Sequence, residues 1–238
     1  MNTSNKRVIY TTIVGGYDNL IEQPKYAGWD YVCFSDQKSL GWKTTLGLSN
    51  WKIITIENPG IDNTRYSRMP KLLPHRFLSK YEYSVYIDGN ARLINNPTKL
   101  LDQLSWPDFS AAHHPFRDNI YDEFTECSAL GMDDPKIFEK QKQSYLDAGL
   151  PGPSQLFENN FLLRRHNLDI VKTIHEEWWE ELNNQSKRDQ LSLPFVCWKN
   201  KYRPTLMSQE LKQKFFSKKA HYRSLIQRLK KSLLKRLK

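Results

Sequence analysis

The stretch YSVYIDGN, residues 83–90, constrains the fold of this chain most. Tyr83, Val85 and Ile87 alternate with Ser84 and Tyr86, and a β-branched and aromatic run of this length reads as a buried strand. The strand stops abruptly on Asp88-Gly89-Asn90. A core strand that finishes on a carboxylate, a glycine and an amide fits an open α/β sheet, where ligands bind at the carboxyl ends of the strands.

The rest of the first half suits such a sheet. Strands are expected at 7–14 (RVIYTTIV, closed by Gly15-Gly16), 29–36 (WDYVCFSD), 51–57 (WKIITIE) and 82–88. Shorter ones are expected at 108–114 and 159–165. The segment 63–80 reads as a helix that Pro70 and Pro74 break into pieces. Residues 134–149 open on Asp-Pro and close on Gly149, as a helix does. Residues 168–184 place Ile170, Ile174, Trp178 and Leu182 four apart on one helical face. Strands separated by helical stretches imply an α/β domain with a largely parallel sheet.

A chain of 238 residues suits one domain, or one domain with an appendage. Cys33, Cys127 and Cys197 are odd in number, widely spaced and form no CxxC pair. They argue against a disulfide framework or a zinc site and fit a reducing compartment. The start, MNTSNKRVIYTTIVGG, lacks the apolar stretch of a signal peptide. No stretch approaches the ~18 apolar residues of a spanning helix. The expected location is therefore the cytoplasm. The net charge of +10 is unevenly spread. Residues 211–238 hold 11 Lys or Arg and no acid, while residues 1–210 hold 25 basic and 26 acidic side chains. A nucleic-acid-binding domain spreads basic groups over its folded face. The asymmetry here divides the chain into a near-neutral domain, 1–210, and a basic tail, 211–238, with its own partner.

Asp88, Gly89 and Asn90 suit a hard divalent cation, Mg²⁺ or Mn²⁺, which prefers oxygen ligands and shares them with a substrate's phosphates. Asp88 supplies charge, Gly89 permits a tight turn, and Asn90 offers a carbonyl oxygen two positions on. The same three residues also make an ordinary turn after a strand. Asp36 closes a strand too, so it would point into the same crevice. Arg65, Arg68 and Lys71 are spaced by three and share a helical face. Such a face suits a diphosphate, gripped by Arg forks and Lys charges, or is simply a solvated basic surface.

The order and spacing of IYTTIVGGYDNL, DYVCFSD, RYSRMPKLLPHRFL, YSVYIDGN and HPFRDNIYDE resemble the TOD/MUCI-type glycosyltransferase family. That family looks like a branch of the GT-A nucleotide-sugar glycosyltransferases, and the resemblance covers roughly residues 7–200. It implies a GT-A, Rossmann-like, mixed but mainly parallel sheet flanked by helices. It also implies a nucleotide-sugar donor, a uridine diphosphate sugar in this reading. Asp88-Gly89-Asn90 stands where GT-A enzymes keep an Asp-x-Asp metal motif, with Asn in the third position. Thr11, Thr12 and Ile13 would border the base, Asp36 the base or ribose, and Arg65, Arg68 and Lys71 the diphosphate and donor sugar. His114, Arg117 and Asp118 would line the sugar or acceptor pocket, although His113 and His114 also read as packing residues. FENNFLLRRHN points to Glu158, Asn159 and Asn160 at the donor sugar and acceptor. RDQLSLPFVCW points to Asp189 and Gln190 beneath the anomeric carbon, where either could stabilise positive charge in a retaining transfer. Asp189 reads equally as a helix N-cap. His221 is the available histidine for a further metal ligand, or a solvated residue of the tail.

In residues 217–238, Leu225, Ile226, Leu229, Leu233 and Leu237 fall three or four apart, with Lys230, Lys231, Lys235 and Arg236 around them. This reads as a basic amphipathic helix suited to an anionic membrane surface, with a partner helix or nucleic acid as alternatives. The resulting expectation is a peripheral, cytoplasmic glycosyltransferase acting on a surface glycan of lipopolysaccharide or capsule type. The rivals are a catalytically inactive nucleotide-sugar-binding module and an RNA-binding protein acting through its tail.

Overall fold

The computed structural model describes residues 6–219. Four strands from the first half form the parallel part of the sheet: β1 (Arg7–Ile13), β2 (Trp29–Ser35), β3 (Lys52–Thr55) and β4 (Tyr83–Ile87). β1 pairs in parallel with β2 and β4, and β3 pairs in parallel with β2. A parallel sheet is covered on both faces, so its strands read as near-continuous apolar runs. Val8, Ile9, Tyr10, Cys33 and Val85 are accordingly fully buried. The β2–β3 connection carries a single helical turn, α1 (Trp42–Thr45).

The segment read as one broken helix is two: α2 (Asn63–Leu72) and α3 (Pro74–Phe77). Asp62 caps α2 by accepting from the N–H groups of Thr64 and Arg65. Pro70 lies inside α2 without ending it, whereas Pro74 opens α3 at a first-turn position that needs no N–H.

The second half makes the sheet mixed. β5 (Ala91–Leu93) and α4 (Pro97–Gln103) follow β4 and precede β6 (Phe109–His113), with α5 (Ile120–Ala129), α6 (Pro135–Asp147) and β7 (Phe157–Arg164) next. Then come α7 (Asp169–Asn184), α8 (Asp189–Lys199), β8 (Thr205–Met207), α9 (Gln209–Phe215) and β9 (Phe216–Lys218). The seven-stranded order is β3-β2-β1-β4-β7-β6-β8, with β5 and β9 forming a separate pair. β7 runs antiparallel between β4 and β6, and β8 is parallel to β6. The fold is thus a mixed, mostly parallel α/β sheet with flanking helices, as expected. The helix starting at Ile120 was not anticipated, and the one starting at Asp189 only through the alternative reading of Asp189 as a helix cap.

Two apolar layers pack on the two faces of the sheet. α7 contributes Val171, Ile174, His175, Trp178 and Leu182 to burial. Ile170, expected in that stripe, is 44% exposed. A 3.6-residue period selects alternating steps of three and four, which brings Val171 to the face and rotates Ile170 away.

Arg164, at the end of β7, is fully buried. Its Nη1 donates to the Lys71 carbonyl at 2.6 Å and to Nε2 of His175 at 3.0 Å, and its Nη2 donates to the Tyr10 hydroxyl. Among the described residues no carboxylate pairs with it.

The boundary expected at residue 210 falls inside α9. β9 pairs antiparallel with β5, and Phe216 stacks on Phe161 at 5.1 Å, so residues 211–218 belong to the domain. Ser217 and Lys218, expected to start the tail helix, are strand. The remainder of that helix and His221 lie outside the described residues. Among the described residues no helix is long and apolar enough to cross a membrane.

Candidate functional site

A cavity of about 600 Å³ opens at the carboxyl ends of β1 and β4. β1 delivers Thr12 and Ile13, and the turn after β4 delivers Asp88 and Gly89. Because β7 is antiparallel to β4, the beginning of β7 lies at the same end and brings Glu158, Asn159 and Asn160. α2 contributes Arg68 and Lys71, the start of α8 contributes Asp189 and Gln190, and the loop after β6 contributes His114 and Arg117. A Cβ on Gly89 would lie 2.9 Å from Cγ1 of Ile13. Glycine is therefore what lets the turn press against the end of β1.

Asp189 is the electrostatic centre. One carboxylate oxygen accepts from Lys71 Nζ at 2.5 Å and the other from Arg68 Nε at 3.1 Å. Burial alone would raise its pKa, but Lys71 and Arg68, with Arg188, hold it well below the usual carboxylate range. Asp189 sits in the first turn of α8 and makes no cap hydrogen bond with its side chain. It therefore does not N-cap the helix. Lys71 also lies 5.1 Å from the ring centre of Tyr86, whose hydroxyl donates to Asp88 at 3.1 Å.

Amides at the start of β7 adjoin this cluster. Asn159 Nδ2 donates to the Asp189 carbonyl at 3.3 Å, and Asn160 Nδ2 to Glu158 Oε1 at 2.6 Å. Glu158 Oε2 accepts from Lys212 Nζ at 2.5 Å and from Gln209 Nε2 at 3.1 Å. Burial pushes the Glu158 carboxyl up, but the bonds from Lys212, Gln209 and Asn160 bring it below its ordinary value. Glu158 is thus an anion anchored to α9. Oδ1 of Asn159, Oδ1 of Asn160 and Oγ1 of Thr12 are buried with no protein partner. Each such group costs roughly 1–3 kcal/mol until something bonds to it. All three residues line the cavity.

Past β6, Arg117 Nε donates to the buried Glu123 at 2.5 Å, and His114 Nε2 stands 3.7 Å from the same carboxylate. His114 Nδ1 accepts from the Arg117 N–H at 3.0 Å, which leaves the hydrogen on Nε2. Burial pulls the His114 pKa down against the pull of Glu123.

Several expected residues stand elsewhere. Arg65 turns to the end of α7, where it bonds the carbonyls of Leu182 and Gln185 and pairs with Asp62. It shares a helix with Arg68 and Lys71 but does not line the cavity. Asp36 spends an oxygen on the Gly15 N–H at 2.8 Å, Thr11 is buried behind the wall, and Asp118 is exposed outside it. Asn90 is buried below the turn, its Nδ2 donating to the Lys219 carbonyl at 2.5 Å. Asp18, Ser67, Phe116, Glu123, Arg188 and Lys218 line the cavity without having been singled out. Asp18 could have been found from the Gly15-Gly16 turn that follows β1, whereas Lys218 is brought in by strand pairing alone.

Among the described residues no three His, Cys, Asp or Glu side chains gather into a metal site. The cavity does offer Asp88, with Asp18 Cβ 3.6 Å from where a Gly89 Cβ would be, while Asn90, expected as the second ligand, is buried below the turn and does not line the cavity. Such oxygen donors fit a Mg²⁺-type ion that completes its shell with phosphate and water. They do not fit one held by the protein alone.

The fold is similar to that of the bifunctional glycosyltransferase WbbM, with a TM-score of 0.52 at 14% identity, covering 87% of this chain and 39% of that one. The neighbours are GT-A glycosyltransferases, so the fold is of the GT-A kind. Among curated relatives, the probable hexosyltransferase MUCI70 of Arabidopsis thaliana is 28% identical over 158 residues, 61% of this chain and 27% of that protein. Alkaline ceramidase TOD1 of Arabidopsis thaliana is 25% identical over 163 residues, 61% of this chain and 35% of that protein. The chain therefore spans about a quarter to a third of the length of these relatives. The family model of the TOD1/MUCI70 glycosyltransferase-like domain matches residues 3–230, and the chain belongs to that family.

Proposed function

We propose that this domain transfers a hexose from a nucleoside diphosphate donor, a uridine diphosphate sugar, to a hydroxyl of a surface glycan, at the cytoplasmic face of a membrane. The observation that carries the reading is the convergence, in one cavity, of the Arg68–Lys71–Asp189 cluster, the Asp88 turn and the side chains of Glu158, Asn159 and Asn160.

In transfer, the bond from the anomeric carbon to the phosphate oxygen breaks, the acceptor oxygen takes its place, and the acceptor hydroxyl's proton passes to the departing diphosphate. The leaving diphosphate gains charge, and Arg68 and Lys71 are positioned to meet it. Asp189 holds both cations in place before the donor arrives. Its carboxylate, kept ionised, faces the cavity where positive charge grows on the sugar. Gln190, whose Oε1 accepts from Arg188 at 3.0 Å, stands beside it. Asn159, Asn160 and Glu158 would orient sugar hydroxyls. A divalent cation shared between Asp88 and the diphosphate would supply further neutralisation of the leaving group. Net retention of configuration is the finer expectation, in line with the Asp189–Gln190 segment.

The test is a thermal-shift panel of nucleotide sugars with and without Mn²⁺, on wild type and Asp88→Asn. A uridine diphosphate sugar that stabilises wild type only with metal, and the variant not at all, supports the reading. No shift with any nucleotide sugar sinks it. An NMR time course of the product then decides retention, and an inverted anomer removes that part.

A further inference from the structure

Outside the cavity, the three most exposed large apolar side chains among the described residues are Trp42 (65%), Leu46 (65%) and Leu48 (66%). All three fall within one short stretch of the β2–β3 connection. That stretch is ordered. The Leu46 N–H bonds the Trp42 carbonyl at 2.9 Å, which sets these two side chains one turn apart. Gly47 takes φ +67°, its N–H bonds the Thr44 carbonyl, and the Leu48 N–H bonds the Lys43 carbonyl at 2.8 Å. This is a Schellman close to the turn, in which the residue at the Leu48 position ordinarily packs back on the helix. Here the side chain three places from the helix end is Lys43, and Leu48 stays in solvent.

The charge around this apolar group has one sign. Residues 37–56 contain Lys38, Lys43 and Lys52, all exposed, and no Asp or Glu. Trp and Leu flanked by lysines is the composition of a surface that sits at the boundary between water and lipid.

Its place in the fold adds a second argument. Asn50 Nδ2 bonds the Gln23 carbonyl at 3.0 Å, and Gln23 Nε2 bonds the Ala91 carbonyl at 2.9 Å. Ala91 lies opposite Lys218 on β9, after which the chain runs into the basic residues of 220–238. The exposed stretch is thus linked through Gln23 to β5, the strand that pairs with Lys218. The stretch and the basic C-terminal residues both carry lysines, so both suit an anionic partner.

We propose that residues 38–52 are a membrane-contact surface. They dock on an anionic bilayer through Trp42, Leu46 and Leu48, with Lys38, Lys43 and Lys52 around them. This holds whichever donor the cavity takes.

The test uses the full chain and sedimentation with vesicles of phosphatidylcholine alone or mixed with phosphatidylglycerol. The variant is Trp42→Ser/Leu46→Ser/Leu48→Ser. Wild type should prefer the anionic vesicles, and the variant should partition at least about tenfold more weakly, since three apolar side chains lose their burial in lipid. Its melting temperature without vesicles should not change. In parallel, brominated lipid should quench the tryptophan emission of wild type more than that of Trp42→Phe, an arm that stands even if the triple variant misfolds. Equal partition of wild type and triple variant overturns the proposal. So does equal quenching, or a concentration-dependent dimer of wild type that the triple variant loses with no change on vesicles.

Discussion

At the scale of single residues, the cavity is organised by one anion between two cations. Asp189 and Lys71 are both nearly inaccessible, with side chains 6% and 7% exposed. Replacing Asp189 by Asn leaves Lys71 and Arg68 facing an amide, and uncompensated buried charge of this kind costs roughly 3–5 kcal/mol. The expected result is a lower urea midpoint at pH 7 together with a loss of turnover. The pH dependence has a defined sign. Lys71 and Arg68 hold the Asp189 pKa below its unfolded value of about 3.9, so the stabilisation is complete above that pH and is lost as the pH falls further. The difference between wild type and Asp189→Asn should therefore be constant from pH 7 to about 5 and shrink in stronger acid. A difference that instead vanishes near neutrality would mean that Asp189 is not the paired anion. Asp189 itself was readable in the segment RDQL, but its partners were not. Arg65, Arg68 and Lys71 look equivalent by spacing, and only the packing of α2 against α7 turns Arg65 away from the cavity.

Among elements, the most consequential pairing is the one between β5 and β9. The Lys219 N–H bonds the Asn90 carbonyl at 2.9 Å and Asn90 Nδ2 bonds back, so the far end of the domain clasps the Asp88 turn. Phe216 seals this clasp, 6% exposed and stacked on Phe161. Phe216→Ala should cost about 3 kcal/mol through the cavity it leaves. Because that cavity adjoins the turn, the thermal shift produced by a nucleotide sugar should weaken as well. A variant that melts lower but responds normally to the donor would show that the clasp is only structural. The sequence hid this pairing because α9 and β9 carry the start of the basic run, so charge dominated the reading where Phe215 and Phe216 marked the core. α5 was hidden for a different reason, since it begins in a polar loop quoted for its chemistry, and α8 showed only as a possible cap at Asp189, with Pro194 inside the helix obscuring its length.

For the whole molecule, the parallel half was legible because doubly buried strands advertise themselves as apolar runs. The antiparallel insertion of β7 was not, since strand direction leaves no mark on composition. The assembled core also stores histidines that cannot charge. His166 donates from Nε2 to the Leu78 carbonyl and accepts at Nδ1 from Ser84. Burial lowers its pKa to about 4, and burial also takes His175 well below its ordinary value. Between pH 6.5 and 4 the unfolded chain takes up protons that the folded one refuses, so stability falls as the pH falls, by up to ~3 kcal/mol for His166 alone. Urea midpoints measured across that window should slope accordingly, and a flat profile would contradict the buried neutral histidines. Arg164 carries a last consequence. Its guanidinium bonds the Lys71 carbonyl from within the core and meets no anion among the described residues, so it acts as a positive charge sealed in the core beneath Lys71, which itself lines the cavity. Mobile ions cannot reach it to screen it. Donor affinity should then survive an increase in ionic strength far better than an attraction made by surface lysines would, a difference that titration of the donor from low to high salt would reveal.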